Sequence, residues 1–393
     1  MRQIIRHAEA KARIAAIGST LSLLGRPPIF QTMSRRLEHA GVILMFHHVA
    51  PHHKDRLAIN KGLEITPETL EHVLLSLKAQ DYDIVPMDAV PERLAVSGGS
   101  RRFAALTFDD GGRDNLIHAA PVLQRHEAPF TVYVTTGFAS GTTAPWWHVI
   151  EQAVHAASAL IINAGDGLRR FDTSDQSKKQ RAARTLHDIL WRASEPVRAS
   201  LASELAAQAR LNLAALTREL CMDWNDLRQI AALPGCTIGA HTMTHPNLAA
   251  LDEGAAMREI SEARDEIRGR LGVAVNHFAY PYGAPHCCET REFECARLAG
   301  FATAVTTRRG LVAQGDVHSL VSLPRVPING FYQQPQMIDA LVSGLSMALA
   351  AQSAPISAKL RNGWRRPTES ALKQPKPPGH HEGRAAITSQ PAP

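Results

Sequence analysis

The chain has 393 residues, of which 45% are hydrophobic and 20% are charged. This composition excludes a disordered or collagen-like protein, and the length leaves room for one large domain with flanking segments. Residues 1–40 and 351–393 each carry seven Lys or Arg and two Glu, so the net charge of +6 is concentrated at the two ends. Residues 41–350 have a net charge of about −4, which excludes a basic nucleic-acid-binding core.

Residues 1–40 are predicted to form a basic helical segment that is broken at Pro27-Pro28. The apolar run at 14–24 follows Arg and Lys residues, as in a secretory leader. Polar residues within the run, and Arg26-Pro27 where small residues would mark cleavage, argue against export. Five cysteines without a CxxC pair fit a reducing compartment. We therefore expect a cytoplasmic protein whose basic ends could contact the inner face of an anionic membrane, without spanning it.

From residue 41 onward, predicted strands and helices alternate along the chain. Helices are predicted from Thr66 and over 119–125. Buried strands are predicted at 41–46, 83–85, 103–108, 130–135, 237–240, 278–280 and 302–306. This alternation favours a single α/β barrel within residues 41–350, in which functional residues gather at the carboxyl ends of parallel strands.

The stretch between Trp147 and Asp223 interrupts the alternation and is rich in helix-forming residues. Its best predicted helices cover residues 180–191 and 200–220. We interpret about residues 148–222 as a helical insertion that caps the barrel. Residues 351–393 are rich in Pro, Gly, Lys and Arg, and are predicted to form a disordered basic tail.

His241 and His245 follow a predicted strand and are four residues apart. On a helical turn this spacing places both imidazoles on one face, where they can bind one metal ion. Such a pair is more often structural, but Asp109 and Asp110 end another predicted strand. Because neighbouring side chains diverge, one carboxylate could bind a metal while the other acts as a base. Two imidazoles and one carboxylate leave coordination positions open, as in catalytic metal sites.

Three segments stand in order along the chain: Thr107-Phe-Asp-Asp-Gly111, His241-Thr-Met-Thr-His245-Pro246 and Phe278-Ala-Tyr-Pro-Tyr-Gly283. They resemble the first three motifs of the polysaccharide deacetylase family. Within this family the chain is similar to the nodulation-type chitooligosaccharide deacetylases, over about residues 42–330. The resemblance implies a distorted (β/α) barrel and hydrolysis of N-acetyl groups from N-acetylglucosamine oligomers or polymers.

The resemblance also implies a role for each motif residue. Asp109 matches the catalytic base. Asp110, His241 and His245 match the ligands of a divalent metal ion, usually zinc and sometimes cobalt. The backbone N–H of Tyr282 is expected to stabilise the oxyanion that forms when the amide is attacked.

The chain departs from the family pattern in two places. The third motif often has an Arg that pairs with the catalytic Asp, and residues 276–280 contain none. The fifth motif typically has a Leu-x-His sequence that supplies a general acid, where this chain has Leu323-Pro-Arg325. Arg325 stays protonated at ordinary pH, so we predict that it orients Asp109 or binds substrate. His318 is then a candidate general acid.

Other residues are candidates for contact with the sugar. His47 and His48 follow the first predicted strand. Trp146 and Trp147 could stack on a pyranose ring, although buried aromatic residues usually belong to the core. The expected partner is an N-acetylated oligosaccharide or polysaccharide. The alternatives are a deacylase of O-acetyl xylan or of a formylated lipid-linked amino sugar, and an inactive carbohydrate-binding scaffold.

Overall fold

The computed structural model describes residues 2–26, 37, 39–52, 56–95, 101–163, 167–314 and 319–349, with backbone alone at 2–8 and 10. Three sequence predictions therefore lie outside the described residues. They concern the tail at 351–393, the break at Pro27-Pro28 and the candidate acid His318.

Parallel strands form the centre of the fold. The strands are β1 (Gly41–Phe46), β2 (His48–Val49), β3 (Glu64–Ile65), β4 (Asp83–Ile84), β5 (Phe103–Phe108), β6 (Phe130–Val134), β7 (Ala159–Asn163), β8 (Leu168–Asp172), β9 (Cys236–Ala240), β10 (His277–Ala279), β11 (Thr303–Arg309) and β12 (Leu323–Pro327). Seven of them lie in the order β1-β12-β11-β10-β9-β6-β5, and β5 pairs with β1 along its full length. This pairing closes the sheet into a barrel, which confirms the (β/α) barrel expected from the sequence.

The barrel strands are apolar on both sides, as parallel strands covered by helices require. In β5, Phe103 and Ala105 pack inside the barrel, whereas Leu106 packs against the helices. Side chains alternate between the two sides of a strand, so Asp109 continues the inward row just beyond the last residue of β5. The hydrophobic pattern of the strand therefore directs a carboxylate toward the mouth of the barrel.

Helices cover the outside of the barrel. They are α1 (Arg2–Leu24), α2 (Pro67–Ala79), α3 (Val90–Ala95), α4 (Ala120–Arg125), α5 (Thr136–Ser140), α6 (Trp146–Ala156), α7 (Gln176–Arg192), α8 (Glu195–Gln208), α9 (Leu213–Leu220), α10 (Trp224–Ala231), α11 (Glu253–Leu271), α12 (Thr290–Leu298) and α13 (Pro335–Val342). A π-helical turn, Asn115–Ala119, precedes α4. Helix α2 begins where predicted, because the Thr66 side chain caps it and accepts from the Thr69 N–H at 3.2 Å.

Between β6 and β9 the chain leaves the barrel and builds a second apolar core, from α6 to α9 and the antiparallel hairpin β7–β8. The single helix predicted over 200–220 is wrong. Helix α8 ends at Gln208, Arg210 adopts a positive φ of 56°, and the Asn212 side chain caps the start of α9. A left-handed residue followed by a capping Asn ends one helix and starts another.

Helix α1 packs against α13, and its residues Leu21 and Leu24 are buried in the main core. Among the residues that the structure describes, no helix combines the length and the apolar character needed to cross a membrane.

Candidate active site

The turn after β5 sends two adjacent carboxylates in different directions. Asp109 follows the inward row of the strand, whereas Asp110 and Gly111 adopt positive φ values of 71° and 68°. A left-handed conformation is costly for a residue other than glycine and is typical of functional sites. Both Asp side chains are buried. The chain thus places two carboxylates at one site, each with its own set of neighbours.

Asp109 forms a bidentate ion pair with Arg325 of β12. The two guanidinium nitrogens donate to the two carboxylate oxygens at 2.7 and 2.6 Å. Arg325 is fully buried, and it also donates to Thr107 Oγ1 at 3.1 Å and to the Thr306 carbonyl at 2.8 Å. Burial alone would raise the pKa of Asp109, but the Arg325 guanidinium outweighs this effect and holds the pKa below its usual value. Asp109 is therefore an ionised carboxylate in a fixed orientation.

Asp110 meets the two predicted histidine ligands. Its Oδ1 lies 3.3 Å from His241 Nε2 and 3.3 Å from His245 Nε2, and all three side chains are buried. His241 Nδ1 is 2.7 Å from the Ala279 carbonyl, so this nitrogen donates and Nε2 carries the lone pair. Lone pairs of Nε2 and of a carboxylate oxygen face each other at this distance, which requires a positive charge between them.

The electrostatics of the cluster also fit a cation. Asp110 Oδ1, which faces both imidazoles, is buried without a hydrogen-bond partner among the described residues. Burial opposes protonation of His241, yet the Asp110 carboxylate raises its pKa above the usual value. Positive charge is thus favoured at this buried point. One carboxylate oxygen and two imidazole nitrogens are suitable ligands for a divalent metal ion such as zinc.

The loop that carries the histidines is not helical, so the helical turn predicted for the pair is wrong. Thr242 and His245 adopt positive φ values of 66° and 61°. The His245 N–H donates to Thr242 Oγ1 at 3.0 Å, and Glu259 of α11 accepts two backbone N–H groups of the loop at 2.9 Å. Side-chain acceptors take the place of helical hydrogen bonds, and this irregular loop turns both imidazoles toward Asp110.

Tyr282 has the rigid backbone expected of an oxyanion donor. Its φ is 62°, and its carbonyl accepts from Thr307 Oγ1 at 2.6 Å. Among the described residues, no acceptor is paired with the Tyr282 N–H. A Cβ at Gly283 would lie 2.4 Å from the Thr307 backbone nitrogen, so this turn needs glycine. The Tyr282 N–H is available to a ligand.

A cavity of about 300 Å³ opens onto the site. Both Asp residues, His241, His245 and Tyr282 line it, and most of the remaining wall is aromatic or imidazole. The predicted residues Trp146 and Trp147 are buried in the second core and also line the cavity. Trp146 Nε1 donates to the Tyr282 hydroxyl at 3.0 Å.

The two histidines after β1 have different surroundings. His47 lines the cavity, and its Nε2 lies 3.9 Å from Asp109 Oδ2. His48 does not line it. Instead, its Nδ1 lies 2.8 Å from Asp114 Oδ2, and its Nε2 lies 3.1 Å from His148 Nε2 of α6.

One of the two facing nitrogens in the His48–His148 pair must donate to the other. Burial opposes protonation of both rings, but Asp114 raises the pKa of His48, whereas the pKa of His148 is held well below its usual value. His48 is therefore the donor. This hydrogen bond connects α6 to β2, the short strand that follows β1.

Three functional candidates were missed in the sequence. His187 and Trp191 of α7 line the cavity, one helical turn apart, with Trp191 38% exposed. The sequence does contain a signal for His187 and Trp191: a histidine and an aromatic residue at positions i and i+4 near the end of a predicted helix. Buried Arg198 lies over the rings of Trp146 and Tyr282, at 5.4 and 5.9 Å from their centroids. Arg198 thereby connects the insertion to the turn that contains Tyr282.

The fold and the site define a class of protein: an α/β barrel with a candidate metal site of one Asp and two His at the carboxyl ends of its strands. The model of the polysaccharide deacetylase family matches residues 97–302, more than half of the chain. The chain therefore belongs to the polysaccharide deacetylase family. It is a carbohydrate deacetylase, and so an amide hydrolase.

Comparison with a solved structure gives the same architecture. The Streptococcus pyogenes deacetylase PplD, in complex with acetate, is 17% identical, with a TM-score of 0.50 over 75% of this chain and 94% of that chain. IcaB from Ammonifex degensii is 18% identical, with a TM-score of 0.49 over 78% of this chain and 98% of that chain. At this identity the likeness to PplD shows the fold alone. A comparison with curated protein sequences found no match.

Proposed function

We propose that this deacetylase removes N-acetyl groups from N-acetylglucosamine residues of an oligosaccharide or polysaccharide, in a metal-dependent reaction. One observation carries the proposal: the Asp110, His241 and His245 cluster lies beside a second carboxylate that is held apart from it by Arg325. A site with one carboxylate for a metal and another for a proton is suited to hydrolysis.

Asp110, His241 and His245 would hold the metal ion. Their nitrogen and oxygen donors favour zinc, with cobalt or another divalent ion as the alternative. Such an ion supplies a Lewis acid, which lowers the pKa of water toward neutrality and stabilises negative charge on oxygen.

Asp109 acts as the general base in this proposal. Its ionised carboxylate accepts a proton from the attacking water as the C–O bond forms. The bidentate pair with Arg325 keeps the carboxylate oriented and ionised, which is the orienting role predicted for Arg325. A general base positioned in this way contributes roughly a hundredfold to ten-thousandfold in rate.

The Tyr282 N–H donates to the acetyl oxygen as negative charge develops there. Removal of one such donor typically costs on the order of a hundredfold in rate. The same carbonyl carbon then loses its bond to nitrogen, and acetate leaves.

The departing nitrogen needs a proton to become a stable amine. Asp109 has gained one from the water, and His47 Nε2 lies 3.9 Å from Asp109 Oδ2. We assign the return of the proton to Asp109 and His47, since His47 is the histidine on the cavity wall next to the base. Overall, one water and one N-acetyl group give one acetate ion and one protonated amine.

The aromatic wall supports a sugar substrate. Trp146, Trp147 and Trp191 present ring surface to the cavity, and the C–H faces of a pyranose ring pack well on such surfaces.

A cytoplasmic location, with the basic ends of the chain at the inner membrane face, stays a prediction.

The experiment is acetate release by the purified full chain from N-acetylglucosamine oligomers of graded length, with and without chelator. We expect release that increases with length and stops when the chelator is added. Formate release from a formylated amino sugar, or acetate from O-acetyl xylan alone, would identify the alternative substrate. An inactive scaffold would bind oligomers and release nothing.

Asp109→Asn provides the matched control, because the amide has nearly the same shape and cannot accept the proton. We expect this variant to retain bound metal and to lose acetate release by at least about a hundredfold. His241→Ala should lose both metal and activity. Undiminished turnover in Asp109→Asn would contradict the role assigned to this residue.

A further inference from the structure

A second cavity, of about 420 Å³, adjoins the catalytic cavity. His47 and Leu63 line both of them, so the two spaces meet beside Asp109. We call the second cavity the arginine groove. Its other walls come from one face of α1, the end of β11 and the loop after β12, through Arg13, Arg309, Asn329 and Tyr332.

The charge in the arginine groove is all positive. Two guanidinium groups, those of Arg13 and Arg309, line it, and no Asp or Glu does among the described lining residues. Neither Arg is in an ion pair with a carboxylate of the described residues. Arg325 differs, because its guanidinium group forms a bidentate ion pair with Asp109.

The position of Arg13 follows from the packing of α1. Arg13 is exposed and lies one turn before Ile17 and two turns before buried Leu21, at the edge of the helix face that packs on the barrel. Close contact holds this face in place, since a Cβ at Gly18 would lie 3.4 Å from Met337 and 3.8 Å from Tyr332. The fold therefore directs Arg13 into the groove.

Both guanidinium groups affect the same groove residue, Tyr332. Tyr332 lines the groove together with both arginines, and their positive charges oppose the rise that burial causes in its pKa. Asn329 adds further donors, because its Oδ1 accepts the Phe331 N–H at 3.0 Å and its amide nitrogen remains for a ligand. Guanidinium, hydroxyl and amide donors together are complementary to an anion.

The groove lies within reach of a ligand in the catalytic cavity. Thr307 lines the catalytic cavity and Arg309, two residues further along the same strand, lines the groove. Two residues of a strand span about 7 Å. A single oligosaccharide can therefore occupy both spaces, with a neutral ring among the tryptophans and a charged substituent near the two arginines.

We propose that the arginine groove binds an anionic group of the glycan, a carboxylate or a phosphate, carried by a sugar next to the one that is deacetylated. The inference rests on the proposed function and makes it more specific: the substrate is an acidic glycan. The anion also fixes the direction in which the glycan lies across the site.

The test compares three N-acetylglucosamine oligomers of equal length. The first is neutral. In the second, N-acetylglucosamine residues alternate with glucuronic acid residues. The third carries a phosphate monoester on its terminal sugar. We expect the wild-type kcat/KM to be about tenfold higher for at least one acidic oligomer than for the neutral one at low salt. The preferred acidic oligomer identifies the anion as carboxylate or phosphate.

Replacement of both groove residues, in Arg13→Gln/Arg309→Gln, should reduce the ratio of acidic to neutral kcat/KM toward one. Lys11→Gln is the matched control, because Lys11 is an exposed cation of the same helix outside the groove lining. It should leave the ratio as in the wild type. A wild-type ratio of one, or a ratio unchanged in the double variant, would overturn the proposal.

A binding measurement separates this proposal from the proposed function. Calorimetric titration of the same oligomers into Asp109→Asn, with and without the two groove substitutions, does not depend on turnover. Tighter binding of an acidic oligomer that the groove substitutions abolish supports the groove, and equal affinities overturn it. Failure of the wild type to release acetate from any oligomer would overturn the proposed function, removal of N-acetyl groups from N-acetylglucosamine residues, and leave this readout intact.

Discussion

The bidentate pair of Asp109 and Arg325 lies inside the barrel, where few charges are stable. Breaking such a buried pair typically costs about 3–5 kcal/mol, because one charge is left without a partner. The pair also sets the protonation state of Asp109, the proposed base, since Arg325 counteracts the effect of burial on its pKa. The same ion pair therefore affects both the stability of the protein and the protonation state of Asp109.

Arg325→Lys separates these two effects, because lysine keeps the charge and loses the planar two-point contact. We expect kcat to fall about tenfold to a hundredfold with a smaller change in KM. The acid limb of the pH profile should move to higher pH, since a weaker partner lowers the pKa of Asp109 less. The measurement is kcat and KM across pH, and an unmoved acid limb would contradict the orienting role.

Sequence motifs identified most of the polar residues that meet at the site. Asp109, Asp110, His241 and His245 each stand next to a predicted strand end, and parallel strands bring their ends together. Arg325 was a candidate partner of Asp109 only through the family resemblance, because the two residues are 216 positions apart in sequence. Only closure of the barrel places β12 beside β1, and no local pattern encodes that contact.

The insertion supplies the helices that form the aromatic side of the catalytic cavity. Trp146 and Trp147 come from α6, and Trp191 comes from the last turn of α7. The His48–His148 hydrogen bond and the stacking of Arg198 on Tyr282 hold these helices against the barrel. The docking depends on contacts between distant segments, which is why the sequence did not indicate His187 or Trp191.

Trp191→Ala tests the aromatic wall, because Trp191 is the most exposed of its tryptophans. Loss of a stacked aromatic face typically costs on the order of 1 kcal/mol, so we expect KM for the oligomer to rise about fivefold to tenfold with kcat less affected. Trp224→Ala, outside the cavity lining, is the control and should leave KM unchanged. Equal kinetic constants for Trp191→Ala and the wild type would remove Trp191 from the substrate site.

Short elements show where local patterns are insufficient. Strand β12 was not predicted, because Pro324 and Pro327 interrupt its five residues and proline is unusual in central strands. The helix predicted through Arg210 failed for the opposite reason, since the composition favours helix and one left-handed residue ends it. In both cases the tertiary structure overrides the local preference.

The stability of the whole fold depends on pH through His39, which lies outside the proposed catalytic site. Burial and, to a smaller extent, the positive charge of Arg102 together lower the pKa of His39 to about 4. In the unfolded chain the pKa is about 6.5, so the unfolded state binds more protons between these values. The stabilisation linked to neutral His39 is therefore complete above pH 6.5 and is lost as the pH falls toward 4.

Thermal unfolding at pH 7, 5.5 and 4.5 measures this effect. His39→Asn removes the titrating ring, so its Tm should fall less on acidification than that of the wild type. His286→Asn, at an exposed position, should follow the wild type. An identical fall in Tm for His39→Asn and the wild type would show that His39 does not contribute.

The reaction proposed for this deacetylase depends on one cation at Asp110, His241 and His245. The decisive measurement is acetate release from an N-acetylglucosamine oligomer by chelator-treated enzyme during stepwise addition of zinc. The structure predicts no release before zinc is added and a rise that saturates at about one ion per chain, with no recovery in His241→Ala. Full acetate release by the metal-free enzyme would contradict metal-dependent deacetylation at this site.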